Sequence, residues 1–113
     1  MSKKKVLWFA NRQMSDEEMN GLTEVIKEPI VLTEFLRDVK SAHSIKDIIR
    51  ANDVIVISKA PQFMSEVLNI VKDQTVLRPT SEPTGSKRPP YRKFTGYKKL
   101  NRVTVIIDEE DLK

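Results

Sequence analysis

The run Asp53-Val54-Ile55-Val56-Ile57-Ser58 limits the possible folds more than any other part of this sequence. Its central residues are all β-branched and apolar, so a strand formed from them has no polar face and must be covered on both sides. A parallel strand between two helix layers meets this requirement, whereas a one-sided antiparallel strand would alternate. Ser58-Lys59-Ala60-Pro61 follows, and Pro61 suits the first position of a helix. Together these features predict part of a βαβ unit.

The same strand and helix pattern recurs through residues 1–77. Short apolar runs predict three more strands, at residues 6–10, 30–32 and 75–77. Ser15 and Glu18 predict a capping box for the first helix, and Ser44 is expected to cap the second. With right-handed crossovers, the order βαβαβαβ favours a three-layer α/β/α, Rossmann-like domain with a mostly parallel sheet of flavodoxin-like strand order 2-1-3-4.

The C-terminal third departs from this pattern. Residues 79–90 hold four of the six prolines, among Thr, Ser, Gly, Lys and Arg, and predict a mobile loop. Residues 91–99 and 103–107 predict the two strands of an antiparallel hairpin at the sheet edge. We therefore expect residues 1–113 to form a single α/β domain.

The composition excludes several classes of site. With no cysteine and one histidine, the chain has neither a disulfide framework nor a zinc cluster, and we expect no metal site. Its three glycines do not cluster after a strand, so a Walker A loop and a dinucleotide fingerprint are absent and no cofactor is expected. The apolar run at residues 6–10 is too short for a signal peptide or a membrane span, which predicts a cytoplasmic protein without a membrane partner.

One candidate site follows from the predicted topology. In open α/β sheets, ligands bind outside the carboxyl ends of the strands. Three cations near two helix N-termini at this edge would suit an anion such as a phosphate, although the same side chains could be solvated loop residues. The candidate ligand-binding residues are Asn11, Arg12, Ser58, Lys59, Gln62 and Arg78.

A second candidate site lies in the most basic segment. Residues 78–102 carry eight basic side chains and one acidic side chain, whereas residues 1–77 balance at eleven of each. Cations can neutralise phosphates and aromatic rings can stack on unpaired bases; alternatively, the rings, with Phe94, face the core and the cations face water. The candidate nucleic-acid-binding residues are Lys87, Arg88, Tyr91, Arg92, Lys93, Tyr97, Lys98, Lys99 and Arg102.

The inferred architecture of about the first 78 residues resembles small Rossmann-like domains, including the ligand-sensing and cyclic-oligonucleotide-cleaving domains of prokaryotic defence systems. No motif in this sequence is specific enough to assign catalytic residues by comparison with those domains. We expect a non-catalytic binding module for an anionic ligand, either a nucleotide or a nucleic acid. One alternative is a phosphodiester-cleaving enzyme acting on a nucleotide or cyclic oligonucleotide through Arg12, Ser58 and Lys59. Another is a structural or oligomerisation module, with a homodimer formed through the edge strand 103–107.

Overall fold

The computed structural model describes residues 3–101 and contains one five-stranded sheet in the order β2-β1-β3-β4-β5. The first four strands run parallel, and β5 pairs antiparallel with β4. The predicted fold class is therefore confirmed. The strands are β1 (Lys4–Ala10), β2 (Ile30–Phe35), β3 (Val54–Ser58), β4 (Thr75–Pro83) and β5 (Arg92–Lys99). The helices are α1 (Asp16–Ile26), α2 (Lys46–Arg50) and α3 (Pro61–Ile70), with a short 3-10 helix at Ala42–Ile45.

Two apolar layers cover the central strands, as the run at residues 53–58 requires. On the side called here the α1 face, helix α1 packs through Leu22 on Val6, Trp8 and Val56. On the opposite side, the α3 face, Phe9 and Ile57 lie against α3 and the 3-10 helix. Strands β1 and β3 pair directly, with Trp8 opposite Val56 and Phe9 opposite Ile57, so their carboxyl ends meet at one edge.

The two N-terminal caps differ in how well the sequence predicted them. At α1 the predicted capping box is present: the Ser15 hydroxyl accepts from the Glu18 amide, and the Glu18 carboxylate accepts from the Ser15 amide. The cap predicted at Ser44 is wrong. Ser41 caps the 3-10 helix instead, because its hydroxyl accepts from the His43 amide, and Ser44 lies inside that helix and donates to the Ser41 carbonyl.

Strand β4 is longer than the sequence predicted. The prolines suggested a loop from residue 79, but β4 continues to Pro83 and pairs with β5 along its whole length from Leu77. Pairing with β3 ends at Leu77, so the rest of β4 is an edge on that side, where proline is tolerated. The loop between β4 and β5 covers only residues 84–91. The predicted edge strand at residues 103–107 lies outside the described residues.

A β-bulge in β5 determines which side chains share a face. Gly96 lies opposite Thr80 and Phe94 lies opposite Ser81, so Thr95 has no partner in the ladder. Phe94 and Tyr97 are three residues apart, and regular alternation would put them on opposite faces. Because the bulge absorbs Thr95, both rings lie on the α1 face and meet edge to face, with their centres 5.1 Å apart.

Candidate functional site

Four of the predicted ligand-binding residues line one pocket at the carboxyl ends of β1, β3 and the parallel part of β4. This strand-end pocket has a volume of about 370 Å³ and is also lined by Ala60, Met64 and Pro79. Asp and Glu are absent from its lining in the described part of the chain. The predicted residues that it brings together are Asn11, Ser58, Lys59 and Arg78.

Lys59 is the most constrained of these side chains. Its ammonium group donates to the Asn11 side-chain oxygen at 2.5 Å, which joins the loops that follow β1 and β3. The same group lies 5.0 Å from the centre of the Phe9 ring and 5.8 Å from the centre of the Phe63 ring. Aromatic faces attract cations at this range, so the two rings and Asn11 hold the Lys59 ammonium group in one position at the rim of the pocket.

Arg78 brings a further cation to the site. Lys98 of β5 lies directly opposite Arg78 of β4, which places both side chains on the α3 face, since Val76 two residues earlier packs in that layer. Ion pairs within residues 3–101 join Lys4 to Glu28 and Arg12 to Glu18, so Lys59, Arg78 and Lys98 have no carboxylate partner in this range. Lys98, which the sequence placed among the candidate nucleic-acid-binding residues, neighbours Arg78 but does not line the pocket.

The N-terminus of α3 adjoins the strand-end pocket. Ala60 precedes the helix without a side-chain cap, and the first turn contains no acidic residue. The first turn of α1, by contrast, has a complete capping box and three acidic residues. Gln62 lies exposed on this turn of α3 and does not line the pocket, so it is separate from the other predicted residues.

Arg12 lies on the opposite face of the sheet from Lys59. Its guanidinium group is 5.4 Å from the centre of the Trp8 ring and forms two hydrogen bonds to the Glu18 carboxylate, at 2.6 and 2.8 Å. The Trp8 indole donates to the Arg12 carbonyl at 2.6 Å. The prediction that Arg12 and Lys59 converge on one anion is therefore wrong, because a buried carboxylate at the start of α1 engages Arg12.

The environment of this ion pair shifts the pKa values of its members. Burial would raise the pKa of Glu18, but hydrogen bonds from Arg12 and from Ser15 outweigh that effect and lower it below its ordinary value. The hydrogen bond to Glu18 raises the pKa of Arg12. Burial, followed by the charge of Glu18, raises the pKa of Tyr97 well above its ordinary value. Glu18 is thus ionised and Tyr97 neutral at neutral pH.

Two of the aromatic residues in the basic segment pack against α1. The Tyr97 hydroxyl donates to the Glu18 carbonyl at 2.7 Å, and the Phe94 ring lies over Gly21, where a Cβ atom would come within 2.8 Å of it. The second of the two sequence interpretations, in which the rings face the protein interior, is therefore the observed one for Phe94 and Tyr97. Tyr91 differs, since it is 59% exposed.

The cations of the basic segment spread over the β4–β5 hairpin instead of forming one cluster. Lys87 and Arg88 are exposed in the loop at its tip. Arg92 lies against Ser81, with its Nε donating to the Ser81 hydroxyl at 2.8 Å. Lys93, Lys98 and Lys99 are exposed on β5, and Arg102 lies outside the described residues.

A larger cleft, of about 780 Å³, separates the first turn of α1 from the hairpin. Its walls carry both signs of charge, with Asp16 and Glu17 on the helix and Arg92 and Lys93 on the hairpin. This cleft was not predicted from the sequence, because the extension of β4 that forms one wall was predicted to be a loop.

Comparisons with protein-family models, with curated proteins and with solved structures found no match to this chain. Within residues 3–101, the helices are all too short or too polar to cross a bilayer. The same part of the chain contains no group of three His, Cys, Asp or Glu side chains placed to hold a metal ion.

Proposed function

We propose that the protein is a binding module for a phosphate-bearing ligand, a nucleotide or a nucleic acid, and that the strand-end pocket holds the phosphate. The observation that carries this proposal is the convergence of Asn11, Ser58, Lys59 and Arg78 in a pocket without a carboxylate among the described residues. Phosphates are recognised in proteins by cations and hydroxyl groups of this kind.

The electrostatics of the pocket favour an anion. Like charges directly opposite each other in a sheet are destabilising. Arg78 and Lys98 form such a pair, and Lys59 adds a third positive charge at the same edge. A bound phosphate would neutralise part of this repulsion and accept hydrogen bonds from Lys59 and Arg78. Binding of an anion at this edge would therefore stabilise the folded protein.

The position of the pocket in the fold supports the same proposal. Strands β1 and β3 are adjacent in the sheet, and the crossovers leave them in opposite directions, to β2 and β4. Ligands of open α/β sheets bind outside the carboxyl ends of strands at such a switch point. The first turn of α3 lies beside it without acidic residues, so its positive end is not neutralised by its own side chains.

The experiment is isothermal titration calorimetry with adenosine triphosphate and with a short single-stranded oligonucleotide. The variant Lys59→Gln/Arg78→Gln removes two charge-assisted contacts, each worth about 1.5–3 kcal/mol, so we expect affinity to fall by at least tenfold. The matched control is Lys40→Gln/Lys46→Gln, which removes the same charge from exposed positions outside the pocket. Equal affinity in both variants would contradict the proposal.

The enzymatic alternative makes a different prediction for the same site. With Arg12 on the other face, a phosphodiester-cleaving reaction would have to use Ser58, Lys59 and Arg78. Incubation with a cyclic dinucleotide, followed by chromatography, tests this. Cleavage that disappears in Lys59→Gln would favour the enzyme over the binding module. A cytoplasmic location and a homodimer through residues 103–107 stay predictions from the sequence.

A further inference from the structure

The outer half of the β4–β5 hairpin, residues 81–93, forms a two-stranded arm. Strand β4 leaves β3 after Leu77, and along β5 the last side chain that packs on α1 is Phe94. Beyond these residues, the two strands pair only with each other in the described structure. We infer that this ribbon arm binds double-stranded DNA by entering the major groove and contacting the phosphate backbone. The inference does not depend on the strand-end pocket.

Cations surround the ribbon arm. Arg92 lies on the α1 face, as its place two residues before Phe94 requires, and Lys93 pairs with Glu82 in the ladder, where alternation starts its side chain toward the α3 face at the edge of the cleft that Arg92 and Lys93 line. Lys87 and Arg88 are exposed in the tip loop. The arm itself therefore carries four cations, on its faces and at its end, with Glu82 as its single acidic residue. Asp16 and Glu17 of α1 lie across the cleft from its α1 face, so the α3 face and the tip are its most positive surfaces.

The distribution of charge selects among anionic partners. A membrane or an acidic protein surface is broadly flat and would contact one face of the ribbon, leaving the cations of the other face in water. A groove with phosphates on both walls contacts both faces and the tip at once. The major groove of B-form DNA is about 12 Å wide and admits a two-stranded β-ribbon. The major groove of double-stranded RNA is deep and narrow, so side chains cannot enter it.

Single strands are disfavoured as partners because of where the aromatic rings lie. Binding of single-stranded nucleic acid relies on exposed rings on which bases stack. Phe94 and Tyr97 are turned toward α1, and Tyr91 is the one ring within the arm. A row of stacked bases needs several such platforms, whereas groove binding through phosphates needs none.

The tip of the arm is held in shape by its own hydrogen bonds. The Thr84 hydroxyl donates to the Pro90 carbonyl at 3.0 Å, and its oxygen accepts from the Ser86 amide at 3.2 Å. The Ser86 hydroxyl bonds to both the carbonyl and the amide of Arg88, at 2.8 and 3.1 Å. Less conformational entropy is lost when such a loop binds, which favours a preformed contact surface.

The test is fluorescence anisotropy of a 20-base-pair DNA duplex, titrated with the full chain across a salt series (the duplex length is about two helical turns). Four phosphate contacts predict a slope of log affinity against log salt of about −3.6, or a loss of about 150-fold between 50 and 200 mM salt. Each of the double variants Lys87→Gln/Arg88→Gln and Arg92→Gln/Lys93→Gln should reduce the slope to about −1.8. The variant Lys40→Gln/Lys46→Gln is the charge-matched control and should keep the wild-type slope.

Several results would overturn the inference. The inference is wrong if the protein does not bind the duplex at 20 mM salt, or if the control variant lowers the salt slope as much as the arm variants do. It is also wrong if the protein binds the duplex and the matching single strand with equal affinity. Equal affinity for a double-stranded RNA would overturn the groove assignment, and stronger binding to anionic phosphatidylserine vesicles would favour a membrane partner. Circular dichroism of each variant establishes that it is folded, so that a lost slope reports on binding.

Discussion

Replacing Arg12 with Met tests the most buried electrostatic interaction of the described structure. Glu18 has a side chain only 3% exposed, and the guanidinium group of Arg12 provides two of its hydrogen bonds. The third comes from the Ser15 amide, at 3.0 Å. Arg12→Met keeps an unbranched chain over Trp8 but leaves a buried carboxylate with one donor in place of three.

The expected loss of stability follows from the difference in burial between the two side chains, since Glu18 is buried and Arg12 is largely exposed. Removing one partner of a buried ion pair costs about 3–5 kcal/mol, but the Arg12 side chain is 57% exposed and water screens part of the attraction. We therefore expect Arg12→Met to lower the free energy of unfolding by about 2–3 kcal/mol at pH 7. Glu18→Gln leaves a half-exposed cation that water can solvate, so the expected cost is smaller, about 1 kcal/mol. Arg12→Lys keeps the charge without the paired geometry and should fall between wild type and Arg12→Met.

The pH dependence separates this explanation from a simple packing defect. In the wild type the pKa of Glu18 is lowered, so its contribution is present above the pKa of the unfolded chain and is lost only as the pH falls below about 4. In Arg12→Met the lowering effect of the arginine is lost, whereas burial, the largest influence on Glu18, and the Ser15 hydrogen bonds remain. We therefore expect the pKa of Glu18 to rise relative to the wild type and the penalty for its charge to shrink as the pH falls. Urea unfolding followed by circular dichroism at pH 7 and pH 5 should show the stability gap narrowing. A gap that is the same at both pH values, or below about 0.5 kcal/mol at pH 7, would refute this reasoning.

Two further substitutions test how α1 packs on the hairpin. Gly21→Ala places a Cβ atom 2.8 Å from the Phe94 ring. The cost of this overpacking, about 1–3 kcal/mol, should exceed the gain in helix propensity, about 0.8–1.0 kcal/mol, so we expect a lower thermal midpoint of unfolding. A raised midpoint would contradict the close contact. Tyr97→Phe removes the hydrogen bond to the Glu18 carbonyl but keeps the ring, and should cost about 0.5–1.5 kcal/mol in urea unfolding; unchanged stability would mean that this bond contributes nothing.

The parallel core was predictable because its pattern is local and allows few alternatives. The apolar run at residues 53–58 needs cover on both faces, and the capping box at Ser15 and Glu18 identifies where α1 begins. These features follow from spacing along the chain. The course of β4 did not follow in this way, because proline indicates a loop unless one knows that the pairing of β4 with its neighbour β3 has already ended, at Val56 and Leu77.

The candidate site was only partly predictable, for a similar reason. Topology brought Asn11, Lys59 and Arg78 to one sheet edge, and the pocket there includes all of them. Arg12 was assigned to the same edge, but a sequence cannot tell toward which face of the sheet a loop side chain turns. The capping box was the available signal, since it places the Glu18 carboxylate near the end of β1, where an arginine can reach it. The bulge at Thr95 left no comparable signal, so the sequence could not decide between the two orientations considered for Phe94 and Tyr97.

The position of Trp8 means that intrinsic tryptophan fluorescence reports on one layer of the fold. Trp8 is the only tryptophan in the chain, is fully buried, and contacts Arg12 through both its ring and its indole N–H. Indole fluorescence moves to longer wavelength when water reaches the ring, so its emission follows the docking of α1 on the sheet. Circular dichroism follows all helices and strands together. A difference between the two signals during unfolding would reveal the opening of this one layer before the rest, without an added label.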